Sequence, residues 1–267
     1  MFTYSEGGLV LSFFDWVQLI LTEYSGMLLK GTGFTILLAI VGTGVGFLIG
    51  LLIGIYKTLP IRDEDPMIKK VLYKVFNFLL SVYIEIFRST PMMVQACVIF
   101  YGFAYLTGLR LNVTTAAMII ISINTGAYMA EIVRGGIISV DKGQFEATHS
   151  IGMTHFQSML YVILPQAIRN ILPATGNQFI INIKDSCVLN VIGVTELFFQ
   201  TKSITGATFQ FFPAYLITCA IYFVLCFSIT QALRYLENKM EGSDTYTIYG
   251  TEPVINGADT LKRGDVR

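Results

Sequence analysis

Charge is scarce in this chain of 267 residues: only 13% of them are Asp, Glu, Lys or Arg, against 54% hydrophobic. Soluble domains carry about 25% charged residues, so a water-exposed surface is hard to build from this composition. Intrinsic disorder is excluded too, because it needs low hydrophobicity. The mean hydropathy of +0.63 leaves an integral membrane protein. Eighteen basic and eighteen acidic side chains cancel, so no basic field marks a nucleic-acid partner.

Cysteine and histidine are equally thin. Cys97, Cys187, Cys219 and Cys226 lie in apolar sequence without CxxC spacing and read as small buried hydrophobes. His149 and His155 stand in one polar loop without paired carboxylates, which makes a poor metal site and a poor acid–base cluster. No catalytic or metal-binding residues are expected, and a membrane-embedded enzyme is therefore disfavoured. The first residues carry no basic region ahead of an apolar one, so no cleavable leader is expected. A GxxxxGK[ST] loop is missing as well, so any ATP must bind another chain.

Long apolar runs are what is present. Gly31 to Tyr56 is free of charge over 26 positions, enough to cross a bilayer with some tilt. Leu79 to Leu106, kinked at Pro91, is a second span; Leu111 to Ala130 is a third. Ala167 to Ile183 is a shorter, wetter fourth span, and Phe211 to Leu233 is an uncharged fifth. Leu9 to Leu21 is too short to cross and reads as a helix lying at the interface. The expected fold is all-α: about five transmembrane helices in residues 29–240, an N-terminal interfacial segment in 1–28, and a polar cytoplasmic tail in 241–267. Basic residues gather after spans one and three and in the tail, placing the N-terminus outside and the C-terminus in the cytoplasm.

Span one spaces Gly42, Gly46, Gly50 and Gly54 four residues apart. That spacing makes a small-residue groove on one face, suited to close approach of a helix of this subunit or of another. The local GTGVG is not a nucleotide loop, because no strand precedes it and no helix opens after it.

The segment between spans three and four, about 141–165, is too polar to cross. Glu146, Ala147 and Thr148 favour a short helix, Gly152 a turn, and Pro165 a limit to the next helix. An exposed helix here suits docking into another protein, and composition alone fits a surface linker equally well.

This segment resembles the EAA loop of the membrane subunits of binding-protein-dependent ABC importers. Glu146, Ala147, Thr148, Gly152, Val162, Leu164 and Pro165 keep the family spacing, with Thr148 and Val162 as mild departures. IEIFRSTPMMVQ (Ile84 to Gln95), GAYMAEIVRGGIISVDKGQFEA (Gly126 to Ala147) and IKDSCVLNVIGVTEL (Ile183 to Leu197) resemble the polar amino acid permease branch. The resemblance implies a type I importer permease of the bacterial inner membrane, with Glu146, Ala147, Thr148, Gly152 and Met153 coupling to a separate ATPase. It further implies two ATPase subunits carrying ATP and magnesium, a second permease subunit, identical or homologous, and an extracytoplasmic amino-acid-binding protein. No cofactor is expected on this chain itself.

Charges inside apolar spans cost at least ~2.5–3.5 kcal/mol each by insertion scales and so face a cavity or a partner. Glu85 with Arg88, and Glu131 with Arg134, are spaced for pairing along a helix. Asp185 follows a polar span and precedes a stretch broken at Gly193, as substrate sites of transporters do. Asp185, Glu131, Arg88, Asn177, Gln178 and Asn182 are the candidate substrate path. An ion-coupled secondary transporter or channel is the alternative that these buried charges leave open; it requires no ATPase partner.

Overall fold

A computed structural model describes residues 12–61 and 64–241. Among these residues the secondary structure is entirely helical. The helices are α1 (Phe13–Glu23), α2 (Ser25–Lys57), α3 (Met67–Ser89), α4 (Met92–Thr107), α5 (Val113–Ile138), α6 (Lys142–Ser150), α7 (His155–Ser158), α8 (Leu164–Asp185), α9 (Leu197–Thr208) and α10 (Phe211–Glu241). The expected tail, and the first eleven residues of the expected N-terminal segment, lie outside the described residues.

Three of these helices, α2, α5 and Phe211–Lys239 of α10, are long and apolar enough to cross a membrane by length and composition. α8, which covers the expected fourth span, has 22 residues and is not one of these three. The second span differs from expectation. It is two helices, not one kinked helix, because Pro91 takes an extended conformation (φ −65°, ψ 135°) and starts α4 afresh. α3 also begins well before the apolar run, at Met67.

α5 is the axis of the molecule, and α2 lies against it through the glycine face. A Cβ at Gly46 would fall 2.7 Å from Thr125 Cβ, one at Gly54 2.6 Å from Val133 Cγ1, and one at Gly42 2.9 Å from Ile121. At Gly50 the obstruction is Met129 and the backbone of Ala130. Four glycines thus meet four α5 residues at the same period of four, as small-residue packing in membranes requires. The groove is filled by this chain's own α5.

Two helix starts are fixed by side-chain caps. Asn112 Oδ1 accepts from the backbone N–H of Thr114 at 2.9 Å, capping α5. Ser12 and Asp15 form a reciprocal capping box on α1. α1 then packs along α10, with the Phe13 and Phe212 rings 5.6 Å apart and Ile20 fully buried beside Ala214 and Ile217.

Candidate functional site

Two groups of residues carry the functional expectations: the polar segment after α5, and the polar residues within the helical core.

In the first group, Asp141 Oδ1 accepts from Gly143 N–H and opens α6. The helix closes in a Schellman turn. Gly152 N–H donates to His149 O at 3.0 Å and Met153 N–H to Thr148 O at 3.0 Å, which places Gly152 at φ +80°. That left-handed conformation is natural to glycine and costly for most L-residues. Thr154 and Gln157 then form a capping box that opens α7. Glu146, Ala147 and Gly152 are exposed, Met153 is half-buried, and Thr148 is buried with its hydroxyl donating to Phe145 O at 2.8 Å. Outward residues can meet a partner; Thr148 braces the helix from within.

This exposed knob is fastened firmly to the core. Val140, Met159, Ile163, Ala167 and Ile171 pack with Val133 and Ile137 of α5 in one buried cluster. Pro165 does not stop the helix here. It sits in the first turn of α8, where its missing N–H is tolerated, and a π-helical turn at Met159–Ile163 joins α7 to α8 without a gap. The knob is therefore joined directly to α8.

The second group divides in two. By helical spacing Gln178, Asn182 and Asp185 share one stripe, but only the first two are buried. Asn182 Nδ2 donates to Thr43 Oγ1 at 2.8 Å, while Asn182 Oδ1 accepts from Thr125 Oγ1 at 3.0 Å and from Gln178 Nε2 at 3.4 Å. These amides tie α2, α5 and α8 together within the chain. Asp185 lies at the end of α8, past those neighbours, and is exposed, as is Asn177. A 3-10 turn at Ser186–Ile192 follows, ending at Gly193 with φ +89°.

The helix-spaced charge pairs also separate. Arg134 donates to Glu131 at 2.8 Å, and Lys57 Nζ stands 3.9 Å from Glu131 while donating to Ser81 Oγ at 3.0 Å. Glu85 instead accepts from Ser89 Oγ at 3.0 Å, and Arg88 lies over the Tyr128 ring at 5.8 Å. An aromatic face on α5 competes for the guanidinium, so the Glu85–Arg88 pair does not form. Both side chains are exposed.

Two polar residues, Gln95 and Asn124, are not singled out by the sequence, whereas Glu196 is one of the charges in or next to an apolar span that must face a cavity or a partner. Gln95 and Asn124 are buried and bonded to each other at 2.8 Å. Glu196 is fully buried, caps α9 by accepting from Phe198 and Phe199 N–H at 2.8 Å each, and accepts from Tyr222 Oη at 3.1 Å. Their sequence signal is a polar side chain within an otherwise apolar run.

The chain has clear relatives among known proteins. The family model for the inner membrane component of binding-protein-dependent transport systems matches residues 50–242. The glutamine transport system permease protein GlnP of Escherichia coli (strain K12) is 35% identical over 216 residues, covering 80% of this chain and 93% of the relative. The probable glutamine ABC transporter permease protein GlnM of Bacillus subtilis (strain 168) is 31% identical over 224 residues, covering 84% of this chain and 98% of the relative. A crystal structure of an amino acid ABC transporter with histidines is 37% identical, with a TM-score of 0.75 over 86% of this chain and 100% of that one. The MetNI methionine ABC transporter in an inward-facing form, 21% identical with a TM-score of 0.65 over 82% of this chain and 98% of that one, shares the fold.

Proposed function

The chain belongs to the family of binding-protein-dependent transport system inner membrane components, and we propose on that premise that it is the permease subunit of an ATP-driven importer of a polar amino acid. Glutamine is the proposed cargo, from the names of two relatives. One observation carries the mechanism: Glu146, Ala147 and Gly152 stand exposed on a knob that is bolted to α5 and α8 by a buried apolar cluster. A partner that grips this knob moves both helices with it. The proposed partner is one of two ATPase subunits, which carry the ATP and magnesium. Glu146 is placed to meet a basic side chain there, and Ala147 is small enough for close approach.

The exposed charges supply the second half of the reading. Glu85 and Arg88 on α3 and Asn177, Lys184 and Asp185 on α8 face outward from this single chain. Hydrocarbon is a poor neighbour for them, so we assign this surface to a second permease subunit and to the path between the two. Arg88 suits a substrate carboxylate and Asp185 an ammonium; Glu131, engaged by Arg134 and Lys57, would reach an ammonium only by exchanging one of those partners. Gln178 and Asn182 hold the helices that carry them. The distribution of basic loops supports an external N-terminus, where an amino-acid-binding protein delivers cargo.

Co-purification in mild detergent tests the reading. An ATPase subunit is expected to come with this chain, and the reconstituted complex is expected to take up glutamine only with ATP inside and the binding protein outside. Uptake driven by an ion gradient without ATP would establish the secondary-transporter alternative instead.

A further inference from the structure

The break between α3 and α4 is held by side chains that the transport reading leaves unassigned. In a continuous helix the carbonyl of Phe87 would accept from the N–H four residues on, but that residue is Pro91 and has none. Inside a membrane an orphaned carbonyl is costly. Gln95 Nε2 replaces the lost donor, lying 3.0 Å from Phe87 O, 2.8 Å from Thr90 O and 2.8 Å from Thr90 Oγ1. Asn124 Nδ2, on α5, holds Gln95 Oε1 at 2.8 Å and reaches Phe87 O at 3.4 Å. Each of these two amides is only 7% exposed. One turn of α3 before Phe87, Tyr83 Oη donates to Ile123 O at 2.6 Å.

The last turns of α3 are thereby pinned to α5 at two points, and Glu85 and Arg88 project from the length between and beside them. A continuous helix would need neither the amide pair nor its burial. Keeping both Pro91 and its substitute donor makes sense if the interruption itself is used.

We propose that Gln95 and Asn124 are positioning residues for transport: they supply the hydrogen bond that Pro91 cannot, and so hold the α3–α4 break that aims Arg88 and Glu85 at the permeation surface. The proposal rests on the importer reading, and the two fail separately. If the wild-type complex shows no ATP-driven uptake, the importer reading falls, whatever the variants do.

The test uses the complete complex in proteoliposomes, with labelled glutamine and a mixture of labelled amino acids as probes. Thermal stability in detergent is measured on the same samples. Gln95→Met should lower both stability and maximal uptake, the latter by about tenfold, the equivalent of one lost buried hydrogen bond. Pro91→Ala restores the backbone donor and should keep stability while losing uptake. The double variant Pro91→Ala/Gln95→Met should regain stability but not uptake. Asn124→Asp, which keeps shape but sets a carboxylate against the Gln95 and Phe87 carbonyl oxygens, should lower stability and uptake together. Uptake that recovers with stability in the double variant would overturn the positioning role, as would wild-type transport by Pro91→Ala or Asn124→Asp.

Discussion

Asn182 and Thr43, 139 residues apart in sequence, share a buried hydrogen bond of 2.8 Å. The same Asn182 accepts from Thr125, so one amide joins three helices at the centre of the bundle. Its burial explains why a polar residue persists on a span without facing a solute. Interhelical hydrogen bonds of this kind contribute ~0.6 kcal/mol on average and up to ~1.7.

Asn182→Leu is therefore expected to destabilise the folded subunit by about 1–2 kcal/mol, since it leaves the Thr43 and Thr125 hydroxyls without this partner. Detergent unfolding measures the loss. The companion change Thr43→Val, made on top of Asn182→Leu, should cost less than it does in the wild type, because its partner is already gone.

The glycines of α2 give predictions of opposite sign. Gly50→Ala drives a methyl into Met129 and the Ala130 backbone, and should destabilise by about 1–3 kcal/mol as overpacking does. Gly44→Ala meets nothing within 4 Å and should be neutral or stabilising by about 0.5–1 kcal/mol, from helix propensity alone. Thermal denaturation of the two variants, side by side, separates packing from propensity.

Gly152→Asp should abolish ATP-dependent uptake while the protein still reaches the membrane. The substitution loads a left-handed position with a side chain and a new charge on the exposed knob. Gly152 is exposed and a Cβ there meets nothing within 4 Å, so the effect is local and folding of the core should survive. Uptake assays with membrane fractions probed for the subunit check both halves; normal uptake by a stably inserted variant refutes the coupling role.

Asp185→Asn should reduce uptake of cargo through loss of the carboxylate, without loss of assembly, because Asp185 is exposed at the end of α8. Asn182→Asp should act on stability first. Initial rates across a panel of amino acids make the comparison. Unchanged rates for every amino acid in Asp185→Asn would remove it from the path.

Much of the molecule is readable residue by residue. Short-range spacing announces the Glu131–Arg134 pair, the glycine face and the Gly152 turn, because partners within a helix turn are set by local geometry. The Glu85–Arg88 pair has the same spacing and fails, since Tyr128 on another helix offers the guanidinium a better face. Lys57 reads as a loop charge, yet it reaches Glu131 from α2 across to α5.

The scarcity of charge by itself determined the class of this protein, because transfer into hydrocarbon is a property of composition and run length. Which charges and amides are consumed inside the bundle, and which stand open on its surface, was decided only by the tertiary structure. Gln178, Asn182 and Asp185 lie on one helical stripe; Asn182 ends against Thr43 and Thr125, Gln178 donates to Asn182, and Asp185 passes beyond them. Periodicity sets a direction from the helix axis, but burial depends on where the neighbouring helices run out.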